Sequence, residues 1–139
     1  MSLDFSLKRK KLVSYDNGLT FSKEFNEVFS VNITHNLTEM ADKAKIYEAL
    51  WRPYRIKSTY SKDLTREDEF KFEYETDVLA KEIIPFLEKG LKKLKAKPEY
   101  YKKFNSFNCW GMYEHFVPFV EKCLNACKEN PELTVITDR

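Results

Sequence analysis

Two histidines with neighbouring carboxylates are the residues of this chain whose types could do chemistry. His35 and Glu39 stand four residues apart, and Glu114 and His115 are adjacent. Imidazole and carboxylate groups serve as metal ligands and as general acids and bases. Two histidines and one carboxylate would make an open metal site if the two segments met. Nothing in the spacing requires that meeting. We therefore predict no metal and no cofactor, and keep this region as an alternative small-molecule or metal-binding site, or enzyme site.

Residues 32–36 read Asn-Ile-Thr-His-Asn and stand where a predicted strand gives way to a predicted helix. We call them the polar junction. Short polar side chains at such a point commonly pair with the free amides of the first helical turn. Asn36 with Glu39 resembles a capping box, and Thr34 is the alternative cap. An anion or small-molecule site at the helix start is the second interpretation. We predict a chiefly structural junction, with His35 left over as the candidate functional group.

Aromatic and basic side chains elsewhere could line a pocket with the histidines, although such side chains occur more often in cores. No residue is assigned to catalysis or to metal binding, and the sequence favours a protein that is not an enzyme. The candidate ligand-binding residues are Asn32, His35, Asn36, Glu39, Trp51, Arg52, Trp110, Tyr113, Glu114 and His115.

The three cysteines divide into a pair and a single residue. Cys123 and Cys127 are four apart on a predicted apolar helix stripe, where burial is the common outcome. Cys109 falls in a turn, and a nucleophile there would need a base such as His115. An odd count of cysteines with no recognisable signal peptide indicates reduced thiols and a cytoplasmic protein.

Composition limits the class of partner. With 24 basic and 22 acidic residues, the net charge of +2 is too small to indicate a nucleic-acid or membrane partner. No segment approaches the roughly 18 apolar residues of a membrane span. Lysines interleaved with Tyr100 and Tyr101 in residues 89–103 could hold single-stranded nucleic acid, but a solvated helix surface is the commoner explanation. We predict no tight nucleic-acid binding and keep that segment as a third alternative.

The N-terminal residues 1–33 predict strands and a hairpin. Asn17-Gly18 is typical of a tight hairpin turn. Residues 28–33 alternate, with Phe29, Val31 and Ile33 on one face, which predicts a strand buried on one side. The final Leu-Thr-Val-Ile-Thr-Asp is rich in β-branched residues and predicts a last strand.

Three long helices are predicted, the first over 37–51 and ended by Arg52-Pro53. The second covers about 77–96, followed by a short helix that Pro98 begins, and the third ends near Glu129. Pro85 and Pro118 fall on the polar sides of their helices. Residues 54–75 predict a variable surface connection, in which Phe-Lys-Phe-Glu-Tyr could form a short strand. The fold class is α+β: three long helices packed on a small, mostly antiparallel sheet of N-terminal strands and a C-terminal strand, in a single domain over 1–139.

Three stretches resemble a family of small uncharacterised proteins encoded in bacterial genomes, often in or near prophages. They are VNITHNLTEMADKAKIYEALWRP, PFLEKGLKKLKAKPEYYKKFN and WGMYEHFVPFVEKCLNACKENPE. The resemblance covers residues 28–139 apart from the middle insertion, and the family has Asn-Gly-Trp-Gly where this chain has Asn-Cys-Trp-Gly. It implies no activity. We expect a small, non-catalytic accessory or interaction protein of the cytoplasm, prophage-derived, whose partner is a protein or a small molecule.

Overall fold

A computed structural model describes residues 2–139, and within that range the chain forms a three-stranded antiparallel sheet and six α-helices. The strands are β1 (Ser2–Val13), β2 (Ser22–Thr34) and β3 (Thr134–Asp138), in the order β2-β1-β3. The helices are α1 (Thr38–Lys43), α2 (Tyr47–Trp51), α3 (Arg66–Glu75), α4 (Ala80–Ala96), α5 (Pro98–Lys102) and α6 (Tyr113–Glu129). Short 3-10 turns occupy His35–Leu37 and Pro53–Ile56. No helix in this range has the length and apolar character needed to cross a membrane.

One face of the sheet forms the floor of the core. Leu3, Phe5 and Leu7 of β1 are fully buried there, opposite the predicted inward residues of β2. On the opposite face Asp4, Ser30 and Asn32 are exposed, as the period of two predicts, whereas Ser6 is buried. The α+β class and the antiparallel sheet are therefore confirmed.

The β1–β2 hairpin extends well beyond the rest of the sheet. β3 pairs with β1 only over Asp4–Lys8, and the β1–β2 register shifts between Leu7 and Lys8. Beyond that bulge, residues 9–26 form a two-stranded projection that we call the hairpin arm. Its loop, residues 14–21, is longer than the predicted tight turn. Asn17 and Gly18 both adopt positive φ, as an Asn-Gly pair allows.

The Asp16 carboxylate organises this longer loop. It accepts hydrogen bonds from the backbone amide of Thr20, at 2.8 Å, and from the Thr20 hydroxyl. These two bonds lower the pKa of the Asp16 carboxyl, and the bond from the Thr20 hydroxyl has the larger effect. The sequence signal at Asn-Gly located the turn correctly, but side-chain bonding rather than the two turn residues determines its length.

The first predicted helix is broken, so the prediction of one helix over 37–51 is wrong. Lys45 has φ +64°, and the Ile46 amide donates to the Ala41 carbonyl at 2.9 Å, in the pattern of a Schellman helix end. The break lies against α4. A methyl group on Gly90 would stand 2.0 Å from Cγ2 of Ile46 and 3.3 Å from the Ala44 carbonyl oxygen. Close packing against a glycine therefore accompanies the end of α1.

The other helices follow their patterns more closely. α4 and α6 pack together over the sheet, and Pro85 and Pro118 are exposed on their outer sides, as predicted. Pro98 begins the short α5. The helical spacing of Ile83, Phe86 and Leu87 predicts all three on one buried stripe of α4, but Phe86 is 41% exposed. The prediction of three long helices is not confirmed, because α4 and α6 have 17 residues each but the first is divided.

Residues 66–75, within the predicted connection, form α3, so the alternative of a short strand there is wrong. The Thr65 hydroxyl accepts from the Asp68 amide, and acidic residues fill the first turn. No residue of α3 is buried. Polar contacts attach it to the rest of the protein. Glu69 accepts from Tyr54 and Arg55, and Arg139 pairs with Glu73 at 2.8 Å.

Gly90→Ala should destabilise the protein by about 1–3 kcal/mol, because the added methyl overpacks the Ile46 contact. On helix propensity alone, the same change would stabilise by about 1 kcal/mol. Chemical unfolding distinguishes the two signs. The control is a double-mutant cycle with Ile46→Ala, in which the penalty for Gly90→Ala should largely disappear. A more stable Gly90→Ala single variant would contradict the described packing.

Candidate functional site

The polar junction caps the first turn through Thr34. Its hydroxyl accepts a hydrogen bond from the Asn36 amide at 3.2 Å and so begins the 3-10 turn that precedes α1. Leu37 directly precedes α1 and supplies no side-chain cap. The alternative cap at Thr34 is therefore right, and the capping box of Asn36 with Glu39 is wrong. The cap is thus a short polar side chain at the end of β2, and the capping box expected in the first turn of the helix does not form.

Asn36 joins the junction to the turn before α6. Its side-chain nitrogen, Nδ2, donates to the backbone carbonyl of Trp110 at 2.7 Å. Gly111 has φ +120° and lies against the junction, so that an added methyl would stand 2.9 Å from Cβ of Asn36. Cys109 in the same turn has φ +61°, a conformation that a side chain disfavours. The Asn-Cys-Trp-Gly turn is thus fitted to the junction through its backbone.

The His35 side chain is hydrogen-bonded to a buried residue of the core. Its Nδ1 accepts a hydrogen bond from the indole N–H of Trp51 at 2.9 Å, and Trp51 is only 1% exposed. An Nδ1 that accepts places the proton of the neutral ring on Nε2. While this bond stands, His35 can donate from Nε2 but offers no free nitrogen to a metal or to a substrate proton. The residue that sequence reasoning left without a structural task therefore has one.

An open depression of about 710 Å³ lies over the junction. Its lining comprises Ser2, Asn32, Thr34, His35, Asn36 and Trp110. The Asn32 amide is occupied by Ser2 and Asp4, at 2.9 and 2.5 Å. The groups left for a ligand include the His35 ring and the indole of Trp110, which is 71% exposed. Such a surface suits a molecule with a hydrogen-bond acceptor and an apolar face.

The remaining predicted site residues do not line this depression. Arg52 donates to the hydroxyls of Tyr47 and Tyr54, at 3.3 and 3.1 Å. Tyr113 donates its hydroxyl to the Leu94 carbonyl at 2.8 Å. Glu39 and His115 are exposed.

No three histidine, cysteine or acidic residues between positions 2 and 139 are grouped as a metal site would require. Glu114 instead lies 3.8 Å from Lys102 in an exposed ion pair. The structure thus brings four of the ten candidates together around the depression and places Trp51 beneath them, through its bond to His35.

The lysine-rich segment has the contacts of a solvated helix surface. Lys95 pairs with Glu121 at 2.8 Å, and Lys102 pairs with Glu99 at 3.4 Å. Tyr101 is buried, so only Tyr100 of the two tyrosines offers an open ring, and Lys103 already lies over it. This leaves little free aromatic surface for stacking with bases.

A polar cluster around Glu69 was missed from the sequence. Tyr54, Arg55 and Tyr60 all donate to the same Glu69 oxygen, at 2.8, 2.6 and 3.2 Å. Hydrogen bonds from Tyr54 and Arg55 lower the pKa of the Glu69 carboxyl, and the bond from Tyr54 has the larger effect. Thr65 followed by acidic residues was the available signal of a helix here. The partners of Glu69 come from other segments, and no spacing rule indicates them.

An apolar groove of about 350 Å³ was also missed. It runs between the base of the hairpin arm, α3 and β3, with Phe25, Phe70, Tyr74, Val135 and Ile136 among its lining residues. Phe25, Phe70 and Tyr74 are 37%, 74% and 85% exposed. These aromatic rings give the groove an open apolar rim.

The cysteines separate as their pattern predicts. Cys123 and Cys127 are fully buried, while Cys109 is exposed. Burial raises the pKa of the Cys123 thiol well above its ordinary value and that of Cys127 to about 12. Within residues 2–139, neither histidine makes a hydrogen bond to Cys109.

Fold and junction together define a small α+β protein with a capped polar junction, a projecting hairpin and an adjoining apolar groove. Comparison with protein-family models, with curated proteins and with solved structures gave no significant match.

Substitutions in the junction should reduce stability. Thr34→Ala removes the cap and should cost about 1 kcal/mol. His35→Leu leaves the buried Trp51 N–H unpaired and should cost about 1–3 kcal/mol. Asn125→Ala, at an exposed position of α6, is the control for loss of a polar side chain. Denaturant midpoints report the differences. Both variants matching the control would show that the junction is not structural.

One thiol of three should react in the native protein. A low thiolate fraction and burial protect Cys123 and Cys127, whereas Cys109 is accessible. Colorimetric thiol titration should detect one fast-reacting thiol in the native protein and three in denaturant. In the native Cys109→Ser variant no thiol should react fast. Fast native reaction of a second thiol would contradict the described core.

Proposed function

We propose that this chain is a small, non-catalytic interaction protein whose hairpin arm is its docking element. The observation that carries the proposal is the exposure of large apolar side chains on the arm. Leu12, Tyr15, Leu19 and Phe21 are 62%, 80%, 84% and 64% exposed. Four such side chains on one projection exceed the scattered apolar exposure usual on monomers, and clustered exposure marks interaction surfaces.

The strand pairing of the arm also supports this function, because the arm has only two strands. From Arg9 outward β1 has only β2 as a neighbour, and every residue from 17 to 28 is exposed. A two-stranded ribbon without a third strand or a helix packed on it is marginally stable in water. Contact with a partner would cover the apolar side chains and stabilise the ribbon. The arm is therefore better suited to a bound state than to isolation.

The contacts of the candidate catalytic groups support a non-catalytic role. The Nδ1 of His35 is held by Trp51, and the two helical cysteines are buried with raised pKa values. We propose the cytoplasm as the compartment, because all three cysteines carry free thiols. The resemblance of residues 28–139 to prophage-associated proteins supports a prophage origin.

A second candidate function is small-molecule binding in the depression over the polar junction. The specific observation in its favour is the pairing of the His35 ring with the exposed indole of Trp110. A ligand with a hydrogen-bond acceptor and an apolar face would contact both. Loss of binding in Trp110→Ala, with stability unchanged, would distinguish a ligand site from a structural corner.

The proposal predicts a site-specific contact at the arm loop. A photoreactive benzoylphenylalanine at Leu19, introduced into the full chain in its native host cells, should form a discrete adduct on irradiation. Phe21→Ser in the same chain should reduce the yield severalfold, because it removes a neighbouring apolar anchor. Mass spectrometry then identifies the partner.

The matched control carries the same photoreactive residue at Lys92, an exposed position on the back of α4. It should give no discrete adduct. Equal adducts at both positions, or none at Leu19, would mean that the arm is not a docking element.

A further inference from the structure

We infer that the occupant of the apolar groove is the hairpin arm of a second copy of this chain, an inference that rests on the proposed function. Both halves of the contact are present on one molecule. The arm offers Leu12, Leu19 and Phe21, and the groove offers the open rings of Phe70 and Tyr74.

The loop of the arm cannot reach the groove of its own molecule. Phe25 lines the groove, so the groove lies at the base of the arm. Strand pairing continues outward to Val13 and Ser22, which places roughly 10 Å of extended ladder between Phe25 and the loop. The paired ribbon points the loop away from its own base. The apolar loop and the apolar groove can therefore meet only between two molecules.

A two-fold arrangement satisfies both contacts at once. When two arms lie side by side in opposite directions, the loop of each reaches the base of the other. Such an interface is isologous and closes as a dimer, because each copy contributes one arm and one groove. The exposed apolar surfaces of both molecules are then covered by the same contact. A dimer also gives each two-stranded ribbon the neighbour that it lacks in the monomer.

Charge favours this pairing over an arbitrary apolar partner. The arm, residues 9–26, contains four basic and two acidic residues, whereas α3 contains two basic and five acidic residues. Within one molecule a basic residue of the arm already pairs with an acidic residue that lines the groove, because Lys10 lies 2.7 Å from Asp77, two residues after α3. Arg9, Lys11 and Lys23 remain exposed on the arm. In the dimer they would face the partner's α3, where Glu67 and Glu75 are exposed.

Sedimentation of the purified full chain tests the inference. We expect a concentration-dependent equilibrium between monomer and dimer, with a dissociation constant below about 0.1 mM. Leu19→Ser with Phe21→Ser on the arm, or Phe70→Ser with Tyr74→Ser on the groove, should weaken association at least tenfold. Phe107→Ser removes a fully exposed aromatic outside both surfaces and should leave association unchanged. Circular dichroism verifies that each variant stays folded.

Disulfide trapping supplies a second measurement that depends on position. In a Cys109→Ser background, chains with Leu19→Cys are mixed with differently tagged chains carrying Phe70→Cys. With oxidised glutathione added as the oxidant, a mixed disulfide should form at least tenfold faster than with chains carrying Phe107→Cys. Equal rates for the two pairs would overturn the arm-in-groove contact, even if the chain dimerised elsewhere.

The outcomes separate this inference from the proposed function. A monomer at all concentrations, together with a discrete Leu19 adduct to a different protein in cells, overturns the second-copy inference and leaves the docking function standing. A monomer without any Leu19 adduct overturns both. A dimer that the arm and groove variants weaken equally, with the preferred Leu19–Phe70 disulfide, supports both.

Discussion

The side chain of Trp51 is almost fully buried, so its single N–H group needs a hydrogen-bond partner inside the protein. His35 supplies that partner, and an unpaired indole would cost roughly 1–3 kcal/mol. The indole also stacks on Tyr47 and lies against Phe116, and the Trp51 carbonyl accepts from Arg139 at 2.9 Å. One residue therefore connects the polar junction, α2, α6 and Arg139, which follows β3. The polar junction is placed by this requirement, because His35 must lie within hydrogen-bond reach of the indole N–H.

The end of α1 shows where sequence reasoning stops. Lys45 carries no helix-breaking side chain, and the left-handed conformation costs a non-glycine residue roughly 1–2 kcal/mol. Such a conformation persists because tertiary packing requires it. Ile46 is buried against Gly90, more than forty positions along the chain, and no local pattern records that contact. By contrast, the alternation of residues 28–33 and the stripe of α6 express burial on one face, which period alone predicts.

α3 was missed for a different physical reason. Helices are recognised chiefly by an apolar face, and α3 has no buried residue. Its local signals were present in Thr65 and the acidic first turn, but polar contacts with Tyr54, Arg55 and Arg139 hold it in place. Residue type predicted that Asn36 and His35 belong to a junction. It could not predict their partners, Trp110 and Trp51, because hydrogen bonds between distant segments leave no periodic trace.

The bulge between Leu7 and Lys8 divides one hairpin into two parts with different physical roles. On the near side, β3 and the helices cover the sheet, and the buried residues of β1 belong to the core. On the far side the same two strands lose their third neighbour, while Leu12 of β1 and Phe25 of β2 still expose apolar side chains. A hairpin that served only the core could end at the bulge without losing a residue of the core. Its continuation exposes apolar surface that disfavours an isolated monomer, and this is the physical reason for our proposal that the ribbon is half of an interface whose other half lies on another molecule.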